Sequence, residues 1–288
     1  MPSIAYNRTK KSFPVISLPK SPIPAEDFGT RKGCCDEFLV LAGGENDWQN
    51  DVNSAWIKLA LPTDDCSFIL KNADGNNATY QPIKNQFPND SLAFYATIEW
   101  SSVLAIDGAG CYTIEVNYIV SGVIGTILWG QYDLKPYTVD HAKMTVRLKG
   151  VFNQVNIIEN INFTASNVVD TIRFYGYFGK RQPNVLIDNL IYQNRVIENV
   201  QRENLNQYVL NTDPLTSIYT DKFIDLYFLS ESELYISEHN PTNHISQYKN
   251  LPVSIADSAE LEYLDLSKLA KVNAKFNDKT RNQYTKFM

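Results

Sequence analysis

The chain has 288 residues, 44% of them hydrophobic, with a formal net charge of -6 and a pI near 5.2. That is enough apolar material for one large core or two ordinary ones. The acidic balance argues against a broad nucleic-acid-binding face, which needs clustered Lys and Arg, and no apolar run reaches membrane-spanning length.

Residues 1–33 read as an extended arm. Pro2, Pro14, Pro19, Pro22 and Pro24 block helix and central strand. Arg8, Lys10, Lys11, Lys20, Arg31 and Lys32 outnumber Glu26 and Asp27. Met1 to Lys20 lacks the apolar core of a secretory signal, so the expectation is a protein assembled in a cytosol. Such an arm cannot fold alone. It is expected to be disordered in the isolated chain and ordered against a neighbouring subunit, with main-chain pairing to an exposed sheet edge as one route.

Residues 36–138 read as a first domain. Strand-length runs cover 37–41, 55–61, 67–71 and 78–83, with a hairpin-type turn at Asp74-Gly75-Asn76-Asn77. A meander follows over 92–134. Its first run ends at Trp100. In Cys111 to Val120 the residues Tyr112, Ile114, Val116, Tyr118 and Val120 share one parity, while Thr113, Glu115 and Asn117 share the other. One face is therefore buried and must be covered, most simply by a second sheet. About seven short strands at this spacing suggest an immunoglobulin-like or jelly-roll sandwich.

Lys135-Pro136-Tyr137 marks the expected domain boundary. A second β-rich domain spans 139–277, with strands at 144–149, 169–178, 185–192, 195–200, 207–210, 233–237 and 270–276. Ile224, Tyr227 and Phe228 lie at helical spacing, so a short helix is expected over 221–229, capped by Thr220 or Asp221. Residues 278–288 read as a tail. The fold expectation is a mainly β chain: two β-sandwich-like domains, an extended N-terminal arm, and one short helix in the second domain.

The candidates for chemistry are set against plainer roles. Cys34, Cys35, Cys66 and Cys111 form no C-x-x-C pair and read as free thiols rather than a disulfide or metal framework. Trp48, Trp56, Trp100 and Trp129 read as core, with a sugar-stacking platform through Trp48 or Trp129 as the sharper alternative. Gly176-Tyr177-Phe178-Gly179-Lys180-Arg181 lacks the spacing and the Ser or Thr of a phosphate loop. It reads as a turn in which Gly179 takes a permissive dihedral and Lys180 and Arg181 are exposed. His239 and His244 read as a polar loop, and Asp64-Asp65 and Asp74-Gly75-Asn76 as turns rather than calcium sites. Glu99 and Glu115 are the one carboxylate pair that a glycosidase could use.

Three stretches carry a resemblance. They are Asp107-Gly108-Ala109-Gly110-Cys111-Tyr112-Thr113-Ile114, the run from Asp170 through Gly176-Tyr177-Phe178-Gly179 to Pro183, and Tyr235-Ile236-Ser237-Glu238-His239-Asn240. They resemble virion structural proteins of phages infecting Bacteroidetes, nearest the neck and tail ring proteins of crAss-like phages. The resemblance implies a β-rich subunit without catalytic residues or cofactors, assembled in the host bacterial cytoplasm. It implies copies of itself in a ring matched to a twelve-fold portal, with neighbouring tail, neck or portal proteins as partners and no specific nucleic acid or membrane. Partner contacts are assigned to Pro14, Pro19, Pro22 and Pro24 of the arm and to Lys180 and Arg181. The alternatives are a glycan-binding host-recognition sandwich and, behind it, a glycoside hydrolase.

Overall fold

The computed structural model describes residues 38–120, 122–153, 155–156, 161–179, 182–191, 197–228, 233–239, 248–256, 259–263, 269–279 and 282–285. Seven strands build the first half. β1 (Phe38–Ala42), β3 (Asp65–Asn72), β6 (Gly110–Val120) and β7 (Val123–Pro136) make one sheet in the order β1-β7-β6-β3. β2 (Val52–Lys58), β4 (Asn85–Phe87) and β5 (Asp90–Glu99) make a second, β2-β5-β4. β1 runs parallel to β7, and the other neighbours are antiparallel. The alternation read from the sequence holds in β6, where Tyr112, Ile114, Val116, Tyr118 and Val120 are all buried. Across the two sheets Trp56 meets Trp129 edge to face at 4.9 Å.

Two segments depart from the expected strands. Trp100 opens a helix, α1 (Trp100–Ile106), instead of closing β5. Its indole is buried either way, so parity alone could not separate the two. Residues 78–83 form no strand. The amides of Thr79 and Tyr80 instead donate to the Asp107 carboxylate, both at 2.8 Å.

The second half begins with α2 (Val139–Lys143) and β8 (Thr145–Phe152), then a small hairpin of β9 (Val155–Asn156) and β10 (Ile161–Asn162), then β11 (Val168–Phe178). β12 (Gln182–Ile191), β13 (Ile197–Thr212) and β14 (Leu215–Thr216) follow. A helix, α3 (Ser217–Lys222), runs directly into a π-helical stretch, Phe223–Phe228. The helix therefore starts four residues before the expected one, and Thr216, not Thr220 or Asp221, is its N-cap. The chain continues through β15 (Glu233–Glu238), β16 (Tyr248–Ile255), β17 (Glu260–Tyr263), β18 (Leu269–Asp278) and β19 (Asn282–Thr285).

Six of these strands close on themselves. β13 pairs β11, β11 pairs β8, β8 pairs β15, β15 pairs β16, β16 pairs β18, and β18 pairs β13, every pair antiparallel. The mainly β expectation holds, and its second body takes the form of a barrel. Closure needs β11 to change partner. Val168–Tyr175 pair with β8, whereas Gly176–Phe178 pair with β13. The change falls on Gly176, with φ 150°, where an added Cβ would lie 2.3 Å from the Asn211 carbonyl oxygen. Gly176 is thus the position that requires glycine. Gly179, assigned that role from the sequence, would accept a Cβ with ordinary contacts.

β13 serves two bodies. Its residues 207–212 belong to the barrel, and Ile197–Gln207 pair with β12, with β19 on the other side at 201–204. The β12–β13 ribbon therefore runs past the last barrel pairing by roughly 30 Å, at about 3.3 Å per residue. Core packing is continuous across the expected boundary at 135–137. Trp56 of the first half touches Phe152 and Phe163 of the second, at 5.7 and 5.5 Å.

Candidate functional site

The seam between sandwich and barrel holds the densest polar chemistry among the described residues. It begins with a loop that the sequence ties down locally. The Asn50 side chain accepts from the amides of Gly43 and Gly44 and donates to the carbonyls of Gly44 and Asn46. This fixes the turn ahead of β2 and aims Asp51 inward, where its Oδ2 accepts the Leu41 amide at 2.7 Å.

Arg147 of β8 and Arg173 of β11 stand directly opposite one another in the ladder. Like charges in that position repel. Asp51 lies between them. Arg147 Nε donates to its Oδ1 at 2.9 Å, and Arg173 donates through Nε and Nη2 at 2.8 and 2.9 Å. Both guanidinium groups make further bonds. Arg147 reaches Asn250 Oδ1 and the Asn50 carbonyl, and Arg173 reaches Thr145 Oγ1. All three charged side chains are buried. Burial alone would raise the Asp51 carboxyl, but Arg173 and Arg147 outweigh it and hold the group below its ordinary range.

A second buried acid lies on the other parity of β11. Asp170 accepts from Asn53 and from Tyr227 Oη at 2.9 Å, and it forms an ion pair with Lys222 Nζ at 2.8 Å. Asn53 in turn accepts from the Trp100 indole at 2.7 Å. Burial pushes Asp170 up and Lys222 down, and their mutual attraction pulls both back. The donors converging on Asp170 require it as an acceptor, so the charged pair is the state these bonds fit. Lys222 also lies over the rings of Phe38 and Tyr132, at 4.6 and 5.5 Å.

Between the clusters, β2 meets β11 without a backbone ladder. Thr171 Oγ1 accepts the Val52 amide and donates to the Val52 carbonyl, both at 3.0 Å. Ser54 Oγ does the same for Val169, at 3.3 and 2.8 Å. Two hydroxyls thus satisfy strand edges that would otherwise be buried without partners.

At the rim, Trp48 stacks on His239 at 6.1 Å, and Tyr137 Oη lies 3.3 Å from His239 Nδ1. Lys249 Nζ sits over the Trp48 ring at 5.5 Å. Burial, with Lys143 and Lys249 adding to it, lowers the His239 pKa below its ordinary 6.5. Arg173 and Glu238 also line this niche, which has room for about 10 Å³. That is the space of a single water, far short of the 300 Å³ or so of a small-molecule pocket.

The sequence candidates scatter. Pro14, Pro19, Pro22, Pro24, Lys180, Arg181 and His244 lie outside the described residues. Glu99 and Glu115 belong to different sheets, and Glu115 pairs with Lys71 at 2.8 Å, so no carboxylate pair forms. Trp129 is buried, which removes it as a stacking platform, and the half-buried Trp48 already has His239 and Lys249 on its ring. Asp64 and Asp65 act locally. One accepts the Leu61 amide, and the other pairs with Lys84 at 2.6 Å. Among the described residues no group of three or more His, Cys, Asp or Glu is placed to hold a metal. The expectation of free thiols fails at Cys111, which is disulfide-bonded, its partner lying outside the described residues. Cys66 is free and buried, and burial pushes its thiol up to about 12, leaving it unreactive.

The buried charges were missed. Strict alternation put Thr145, Arg147 and Lys149 on the wet face of β8, yet Thr145 and Arg147 are buried. The available signal was an arginine flanked by apolar residues in each strand, Val146-Arg147-Leu148 and Ile172-Arg173-Phe174, with no acid adjacent to either. The chain matches no protein-family model and no curated protein.

Proposed function

We propose that this chain is a non-enzymatic structural subunit of a ring in the neck or tail of a tailed phage. It grips neighbouring copies and adjoining rings through chain that leaves its body. The observation that carries this is the β12–β13 ribbon. The extension leaves the barrel as a hairpin, with β19 beside only four residues of β13, and a hairpin is marginal on its own. Among the described residues β12 pairs with β13 alone, so its outer edge offers a row of backbone donors and acceptors. Edges of that kind are used for strand addition by a partner. The resemblance of the stretches quoted above to neck and tail ring proteins supports the same role.

The test is a shortened ribbon. Ile187 stands opposite Arg202, so replacing the residues between them with a two-residue Asn-Gly turn leaves a matched hairpin. Light scattering and particle images would compare this chain with wild type, alone and with neighbouring neck or tail proteins. The expected result is loss of ring assembly with the thermal transition of the body retained. Rings that form equally well without the ribbon would overturn the proposal.

A further inference from the structure

The chain has four cysteines, and two of them lie in opposite states among the described residues. Cys66 is free and Cys111 is disulfide-bonded. Cys66 is also far from that bond. It stands opposite Tyr118 in the ladder of β3 and β6, seven residues along β6 from Cys111, or about 23 Å at 3.3 Å per residue. It shares the buried parity of Tyr118, whereas Cys111 is half-buried on the other parity, with Thr113 and Glu115. Burial pushes the Cys66 thiol up to about 12, which leaves it little thiolate for exchange. The remaining cysteines are Cys34 and Cys35, outside the described residues and just ahead of β1 in sequence.

The strand register puts Cys111 within reach of that pair. Cys111 stands opposite Asp133 of β7, and Asp133 stands opposite Leu39 of β1. The three form one row across the sheet, with their side chains on one face. It is the outer face, because the adjacent row of Phe38, Tyr132 and Tyr112 points into the core. Two strand spacings, about 10 Å, separate Cys111 from β1. The Cα atoms of a disulfide are themselves about 4.4–6.8 Å apart, so the bridge spans roughly half of that gap. Cys35 is three residues ahead of Phe38 and Cys34 is four, reaches of about 10 and 13 Å.

We infer that Cys111 is bridged to the Cys34-Cys35 pair, and that the bond is an oxidation-dependent staple carrying the root of the arm across the outer face of β7. Adjacent side chains of an extended chain point to opposite sides, so one cysteine of the pair faces the sheet and bridges while its neighbour stays a thiol. The bond closes by exchange with a small disulfide. One protein thiolate takes up half of it as a mixed disulfide and releases one small thiol. The second protein thiolate attacks the protein sulfur of that cap and releases the other. Two protein thiols thus become one S–S bond, and the small disulfide leaves as two thiols. A dithiol reverses the step. With the bond open, the arm departs from the β1 edge of the sheet. With it closed, the arm departs from beside β6, two strands away. Reducing surroundings hold the first state and oxidising ones the second. The staple stands whether or not the ring reading does.

The experiment uses the full chain, oxidised with glutathione disulfide or reduced with a dithiol. A tryptic digest of the oxidised chain should contain Gly33–Lys58 joined to Asn85–Lys143, with Cys66 apart on Leu59–Lys71. The reduced digest should lack the joined pair. The bond closes a loop of 76 or 77 residues that the unfolded chain otherwise leaves open. The oxidised chain should therefore unfold at a urea midpoint higher by about 1 M or more. Cys111→Ser should lose the joined pair and show one midpoint under both conditions. The double variant Cys34→Ser with Cys35→Ser removes the opposite end and should behave alike, so a misfolded Cys111→Ser does not decide the result. A digest that joins Cys111 to Cys66, or leaves it unjoined after oxidation, overturns the bridge. A covalent dimer of twice 32.7 kDa in place of a bridged monomer overturns it as well. A joined pair with no rise in midpoint overturns the staple, because the fold then does not hold the two ends together.

Discussion

The centre and the rim of the seam use similar residues and carry different weight. At the centre, Asp51 with its two arginines, and Asp170 with Lys222, are dry and paired. At the rim, Trp48, Tyr137 and His239 are stacked but partly wet. A charge pair exposed to water contributes little, and the same pair removed from water becomes costly to break. Depth, more than residue type, decides which contacts hold the two halves together.

The largest effect should come from Asp51→Asn. It leaves two buried arginines facing each other without a carboxylate, and the expected loss is about 3–5 kcal/mol in urea unfolding. A loss under about 1 kcal/mol would erase the distinction between centre and rim. The Asp51 pKa is depressed in the fold, so its contribution is present above the ordinary value of 3.8 and is lost as the pH falls through the lower folded value. Asp51→Asn should flatten that acid limb.

Next comes Asp170→Asn, which strands the Lys222 ammonium at a cost of about 3 kcal/mol. The double variant Asp170→Asn with Lys222→Met leaves neither charge buried and should recover most of that loss in a double-mutant cycle. A double variant as unstable as the single would show that packing, not charge, is at stake.

The smallest effect belongs to the rim. The folded pKa of His239 lies below 6.5, so the unfolded chain takes up the proton first. Stability should therefore fall as the pH drops below 6.5 towards the folded value and stay level above it. The change should be within about 0.5 kcal/mol, as for surface substitutions. Melting curves between pH 8 and 5 should show it, and His239→Phe should remove the slope. A steep loss in that range would promote the rim to a structural element.

β6 was legible because one of its faces is wet, so alternation survives in the sequence, whereas in β5 Ala93 and Tyr95 are buried on one parity and Ala96 and Ile98 on the other. Strands buried on both sides lose that signal. β11 has Asp170, Thr171, Ile172, Arg173 and Phe174 all buried, and nothing in their order says which face holds the charge. Asn residues misled in β13, which was read as two strands split by a turn. Asn206 instead spends its amide on Asp278, which also accepts from Tyr208 at 2.6 Å, so the strand runs through. Barrel closure joins residues 207–211 to 273–277, a separation that no local pattern encodes. The helix was found four residues late because its apolar spacing is clearest in the π-helical part, where Tyr227 turns inward to Asp170.

One strand, β13, runs from the ribbon into the barrel wall without a break. Ladder bonds lie across the strand axis, so tension along the ribbon meets the β11 and β18 pairings in shear, where many bonds share the load instead of opening one by one. Force arriving at the far end would be spread around the whole barrel instead of opening a hinge at the base of the ribbon.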